Sequence, residues 1–368
     1  MLPEEIDRLS QTYDKSLDNS EFERLFDYFD INIGDILILR EVISNDLSED
    51  DYGISWWKQF KDLTTQSRIL ISDYLISSIE SVFTNIVEAK YSILEIEHAV
   101  SNIRNWAERQ SHNNFEMRNI SPLEDLNIYK FSCSLAGFFR SLGSSLDCIS
   151  SCITGIAGLP IDIKSTSFNK VLNDLKNPRP ASEYLFQLNE SISSALLDSG
   201  PKGWVEWTLQ MRNMLVHRGR SLPIAQFIKD DTGIDVRIFL PKNPQMSDIE
   251  SAIISQSFIE TQITTNAIKL TTSLFDSLIK FANCTCSLLA NFWGERKLNV
   301  NMIKQPRKQW NQPNGLITPP PFKGYSNLNE TLTPITDIRV DQSIIKRLRS
   351  AGFIKKGNNW IPNPSIWS

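Results

Sequence analysis

The sequence predicts a mainly α-helical protein, a helical bundle with one small β-hairpin and extensions at both ends. Three observations predict it. Apolar residues recur at three- and four-residue steps over long stretches on both sides of residue 120. Strand-like alternation is confined to one place, PIAQFIK followed by GIDVRIFL at 223–240. Proline, glycine and asparagine gather at the joints between the periodic stretches, where turn chemistry belongs.

The elements follow in order. Residues 3–17, 21–30 and 34–45 read as short amphipathic helices, closed by the polar break SNDLSEDDYG. From about Thr64 to Arg109 a long helix is marked by Leu70, Tyr74, Ile76, Ile79, Val82, Ile86, Ile93, Ile96, Val100 and Ile103. RQSHNNFEMRNISP interrupts the pattern and supplies a boundary. A second block starts near Leu126, with Leu135, Phe138, Phe139, Leu142, Leu146, Ile149, Ile153 and Ile156 as its stripe, and ends at GLP. A linker containing KNPRP leads to a helix at about 182–198. Gly203 opens the next one, and Gly219 closes it. The two alternating runs are joined at Asp230–Gly233, a hairpin signal that leaves the turn type open. A helix of about 248–292 is then expected, since neither Gly nor Pro interrupts it. PRKQWNQPNGLITPPPFKGY reads as an irregular connector, and the end of the chain as a short helix and a hairpin turning at Gly357–Asn359. The expected organisation is therefore an N-terminal helical region (1–120), a helical domain (121–295) and a Pro-rich connector with a small basic element (296–368).

Composition narrows the function classes. With 41% hydrophobic and 22% charged residues, the chain has the balance of a soluble globular protein. A net charge of −5 means that any nucleic acid would have to bind a local basic patch. The five cysteines (Cys133, Cys148, Cys152, Cys284, Cys286) fall mostly in apolar helical patterns and read as reduced core residues of an intracellular protein. The acidic start MLPEEIDRLSQTYDK is no signal peptide, and Arg140 and Asp147 interrupt the most apolar stretch, so the expectation is cytoplasmic with no membrane partner.

Several chemistries find no support. No phosphate-binding glycine loop, dinucleotide fingerprint or GxSxG elbow is present. Cys148 and Cys152 stand one turn apart without a second pair to complete a zinc site, so no metal and no cofactor are expected. The carboxylates of Glu88–Glu97 read as a solvated helix face.

The exception is WTLQMRNMLVHRGR at 207–220. Projected at about 100° per residue, Trp204, Trp207, Met211, Met214 and Leu215 share one side of this helix, and Val205, Leu209 and Val216 a second. Between them runs a polar stripe of Glu206, Gln210, Asn213, His217 and Arg220, with Arg212 beside Val205, Leu209 and Val216. Such a helix looks buried on two flanks, with a polar seam at a groove or a subunit interface. Asn213 and His217 are four apart and can share a hydrogen bond that fixes the imidazole tautomer. His217 falls in the last turn, where the helix dipole favours imidazolium. A titrating histidine with an arginine one turn back suits acid–base work on a phosphodiester. A surface arginine and a satisfied terminal histidine account for the same residues without chemistry.

Arg212–Asn213–Met214–Leu215–Val216–His217 resembles the Arg-Asn-x-x-x-His signature of HEPN-domain proteins, small helical bundles that include many metal-independent ribonucleases of toxin–antitoxin, CRISPR and anti-phage systems. The likeness spans about 126–292, takes in RSLGSSLD at 140–147, and is specific only at the motif. It implies a HEPN-like bundle in which His217 is the general acid or base, Arg212 stabilises the phosphorane, and Asn213 holds His217. It also implies a homodimer that pairs two signatures through the 203–220 helix, with RNA cleaved by attack of its own 2′-OH. An antitoxin or defence-system protein is then a possible partner. Gly219 stands where some HEPN toxins carry a tyrosine for nucleotide transfer, so that mode of control is in doubt. Lys202, Arg218, Arg220 and Lys229 are the candidate RNA-binding patch, with plain solvated charges as the other reading. A catalytically silent HEPN-type module that binds RNA, a nucleotide or a protein is the alternative function. The basic end, IIKRLRSAGFIKKGNNW, reads either as a docking piece or as a tail packed by Ile344, Leu348, Phe353 and Trp360.

Overall fold

The structure is a computed structural model that describes residues 29, 31–48, 65–111, 122–159, 161, 166–176, 183–217, 224–230, 233–246, 250, 258–298 and 342–352. Among these the protein is mainly helical, with one two-stranded antiparallel sheet. The helices are α1 (Gly34–Asp46), α2 (Thr65–Ser111), α3 (Pro122–Ala157), α4 (Phe168–Lys176), α5 (Glu183–Ser199), α6 (Trp204–His217), α7 (Ala267–Leu298) and α8 (Gln342–Ser350). The strands β1 (Ile224–Asp230) and β2 (Gly233–Phe239) lie between α6 and α7. The expected helices at 3–17 and 21–30, and the C-terminal hairpin, lie outside the described residues. No described helix is long and apolar enough to cross a membrane.

The chain divides into two compact units, Met1–Glu80 with Ser150–Leu188 and Cys286–Ser368, and Ser81–Ile149 with Asn189–Thr285. In the second unit α2 and α3 run antiparallel. Asn85 Nδ2 donates to Cys148 Sγ at 3.7 Å, Ser141 Oγ donates to Glu88 Oε2 at 3.1 Å, and a β-carbon on Gly137 would stand 3.2 Å from Ser92 Oγ. Positions rise along one helix as they fall along the other. Glu88, read as solvated, is exposed yet ties the two helices together. The stripes that predicted these helices are the ones that bury: Val82, Ile86, Ile93, Ile96 and Val100 on α2, and Leu135, Phe138, Phe139, Leu142 and Leu146 on α3. Helix α3 starts at Pro122, earlier than expected, because proline suits a first helical turn whose N–H groups have no partner in the helix.

The hairpin pairs Ile224 with Phe239 through to Asp230 with Gly233. Alternation on β2 buries Ile234, Val236 and Ile238. Phe227 meets Trp106 of α2 edge to face at 6.3 Å.

The single long helix expected over 248–292 is corrected. A 3₁₀ turn at Phe258–Thr261 and an antiparallel bridge between Pro241 and Gln262 precede α7, which begins at Ala267. The break needs no Gly or Pro, because the segment before α7 is drawn to the end of the hairpin by contacts distant in sequence. Here Asn266 Oδ1 accepts the Ile238 N–H at 3.4 Å. Helix α4 was not expected, although Phe168, Val171 and Leu175 bury on one face of it.

In the first unit the end of α7 holds two helix ends. Trp293 Nε1 donates to Asp46 Oδ2 at 2.9 Å, in the last turn of α1. Arg296, with no exposed surface, donates through Nη1 to the carbonyls of Gly155 (2.9 Å) and Ile156 at the end of α3. These carbonyls have no partner within α3, and the negative end of its dipole favours a cation. Burial pushes the guanidinium down to about 9, so it keeps its charge at neutral pH. Gly158, at φ 69°, turns the chain away beside it.

Helix α8 packs on the same unit, and of the residues expected to pack it Ile344 departs. Ile344 is exposed and Leu348 half-buried, whereas Arg347, Ser350 and Ala351 are buried. Ser350 Oγ donates to the carbonyl of Leu47, just past α1. Phe353 and Trp360 lie outside the described residues.

Two outcomes follow. Arg296→Met should lower unfolding free energy by about 2 kcal/mol in urea titrations, since two buried carbonyls lose a charged donor. Truncation after Pro334 should lower the melting temperature, because α8 leaves a buried surface and the Leu47 carbonyl uncovered. A truncated chain that melts with the full-length protein would show that α8 contributes no packing.

Candidate active site

Helix α6 is fixed from two sides. Trp207 meets Phe139 of α3 edge to face at 5.5 Å, and its Nε1 donates to the Pro241 carbonyl at 3.1 Å. Trp204, Val205, Thr208, Leu209, Met211 and Met214 are buried, so α6 is covered on the two flanks the projection assigned. Val216 departs from it and is 52% exposed. Of the polar stripe, Glu206 is exposed, while Gln210 and Asn213 are half-buried.

Arg212 lies across α3. A β-carbon on Gly143 would stand 2.5 Å from Arg212 Cδ and 2.8 Å from its Nη1, closer than any real pair of such atoms. The missing side chain is what lets the arginine pass. Beyond Gly143, Nη1 donates to Asp147 Oδ2 at 2.9 Å. Both side chains are partly open to solvent, 26% for Arg212 and 34% for Asp147. Among the described residues Asp147 is the only hydrogen-bonding partner of Arg212. A guanidinium has five N–H donors, and this bond uses one of them.

None of the remaining candidates bonds Arg212 among the described residues. His217 closes α6 with its backbone in the last turn. Its side chain, and Arg218 and Arg220, lie outside the described residues. Lys202, in the turn before α6, and Lys229, on β1, are exposed and form no hydrogen bond or ion pair among the described residues. The structure brings Arg212 together with two residues that the sequence reading gave no role. The available signal was small: Gly143 and Asp147 stand one turn apart in RSLGSSLD, inside the most apolar stretch of the sequence. An internal glycine costs a helix about 0.5–1 kcal/mol against alanine and calls for a close neighbour to explain it.

The cysteines qualify the expectation of a reduced core. Cys152 and Cys286 are buried and Cys148 partly so, but Cys133 and Cys284 are exposed. Burial, then the Asp147 carboxylate, push the Cys148 thiol up to about 11, and burial pushes Cys286 to about 12. Comparison with family models, with curated proteins and with solved structures returns no match.

Native alkylation at pH 8 should therefore label Cys133 and Cys284 first by peptide mass spectrometry. Cys148 should react appreciably only as the pH approaches 11, where its thiolate forms. Rapid labelling of Cys148 at pH 8 would contradict the environment described.

Proposed function

We propose that the chain is a metal-independent endoribonuclease of the HEPN type, a toxin or anti-phage effector acting in the cytoplasm. The observation that carries the reading is the state of Arg212. It is held at one corner on a rigid helix pair and keeps most of its donors for an anion. His217, five residues on and in the last turn of the same helix, stands where the dipole favours its charged form.

In this reading His217 is the acid–base group and Asn213 positions it. The ribose 2′-OH loses its proton and attacks the neighbouring phosphorus, the bond to the 5′ oxygen breaks, and that oxygen leaves protonated. The products are a 2′,3′-cyclic phosphate and a 5′-hydroxyl. Charge gathers on the non-bridging oxygens in between, and Arg212 neutralises it. The same reading pairs two α6 helices in a homodimer. Lys202 and Lys229, with Arg218 and Arg220, supply the basic patch for RNA. The acidic balance of the chain, −5 overall, favours the second reading, a silent module that binds RNA, a nucleotide or an antitoxin-like protein.

Incubation with end-labelled RNA in chelator separates the two. Cyclic-phosphate ends are expected from the wild type. His217→Ala and Arg212→Ala should each lower the rate by about a hundred- to ten-thousand-fold with unchanged circular dichroism. A variant that cleaves at the wild-type rate removes its residue from the chemistry, and binding without cleavage supports the silent module.

A further inference from the structure

We infer that Asp147 is a positioning residue, which together with the bare surface of Gly143 presets the Arg212 guanidinium to receive a phosphate group. The inference rests on the ribonuclease reading for its activity arm and on geometry alone for its structural arm.

The pair is a poor device for stability. An ion pair this open to solvent contributes little, and holding an arginine in one rotamer costs side-chain entropy. The glycine beneath it weakens the helix as well. Both costs converge on the orientation of one side chain. The groove at Gly143 fixes where the Arg212 stem runs, with Cδ, Nε and Nη1 all within 3.1 Å of where a β-carbon would stand. Asp147, one turn further along α3, then fixes the rotation of the guanidinium plane through Nη1.

What the arrangement leaves is specific. Asp147 takes one corner, and the planar fork retains donors matched to two oxygens of a tetrahedral anion. The entropy of ordering the side chain is then met before the anion arrives, which is the general basis of preorganisation. Asp147 also sets a limit on charge: a single phosphodiester brings the Asp147–Arg212–phosphate group to a net −1. A phosphate monoester, carrying close to two charges, meets a carboxylate one guanidinium away. The site should therefore prefer an internal phosphodiester over a terminal phosphate.

The test uses the full-length protein with Asp147→Asn, Asp147→Glu and Gly143→Ala, alone and combined with Arg212→Ala. In RNA cleavage under chelator, Asp147→Asn should lower kcat by about 10- to 100-fold with KM changed much less, the size expected of a misplaced catalytic group. Asp147→Glu should recover part of the loss. In the Arg212→Ala background Asp147→Asn should have no further effect, because the two act as a unit. A second readout needs no activity. The Arg212 Nε–H signal in a ¹⁵N spectrum should be dispersed in the wild type and move to the free-arginine position in Asp147→Asn and Gly143→Ala. Wild-type kcat in Asp147→Asn, or an equal loss with and without Arg212, would overturn the inference. So would an unmoved Arg212 signal. If the wild type cleaves no RNA, the ribonuclease reading fails, and the spectrum alone decides whether Asp147 orients Arg212.

Discussion

Where Arg212 can run across α3 is set at Gly143. A side chain there would occupy the space of Arg212 Cδ, so the arginine would have to swing away. Helix α6 itself is held, since Trp207 is fixed against Phe139 and bonded to the Pro241 carbonyl. Through Pro241 the same contact reaches the end of β2 and its bridge to Gln262. On the other side of α3, Ser141 and Cys148 tie the helix to α2. One glycine thus sits within a chain of close approaches from α2 to the hairpin, all inside one compact unit.

The parts of this fold legible in the sequence are those where a single side of an element is buried. Along α2 and α3 the apolar residues at three- and four-residue steps are the buried ones, because a helix with one wet face has no other way to place them. The hairpin was legible for the analogous reason at period two. Helix α4 was hidden by its length: nine residues with four apolar positions fall below what periodicity can separate from a linker. The start of α7 was hidden because it is set by long-range contacts. The break before Ala267 is made by the Pro241–Gln262 bridge and the Asn266–Ile238 bond, which leave no local mark as plain as proline.

The candidate site was legible only along one helix. Arg212, Asn213 and His217 stand close in sequence, so their relation could be read by projecting α6. The bond from Arg212 to Asp147 spans 65 residues, and nothing local to either residue announces it. Asp147 entered the sequence reading as a charge that spoils a hydrophobic stretch and as the end of RSLGSSLD, with no role of its own. A charge in such a stretch needs a partner, and an arginine on another buried helix is the natural one to seek. The glycine one turn before it marks where that helix comes near.

The long reach of the contacts at the end of α7 bears on the order in which the chain assembles. Arg296 bonds carbonyls 141 and 140 residues earlier, Trp293 meets a carboxylate 247 earlier, and Ser350 reaches back 303. The unit bounded by Ser81 and Thr285 has all its residues once Thr285 has left the ribosome. The other unit cannot complete its hold on α1 until Trp293 and then Ser350 have been made. Until then the end of α1 lacks both of these contacts, and it is the part of that unit a chaperone or protease would meet for longest.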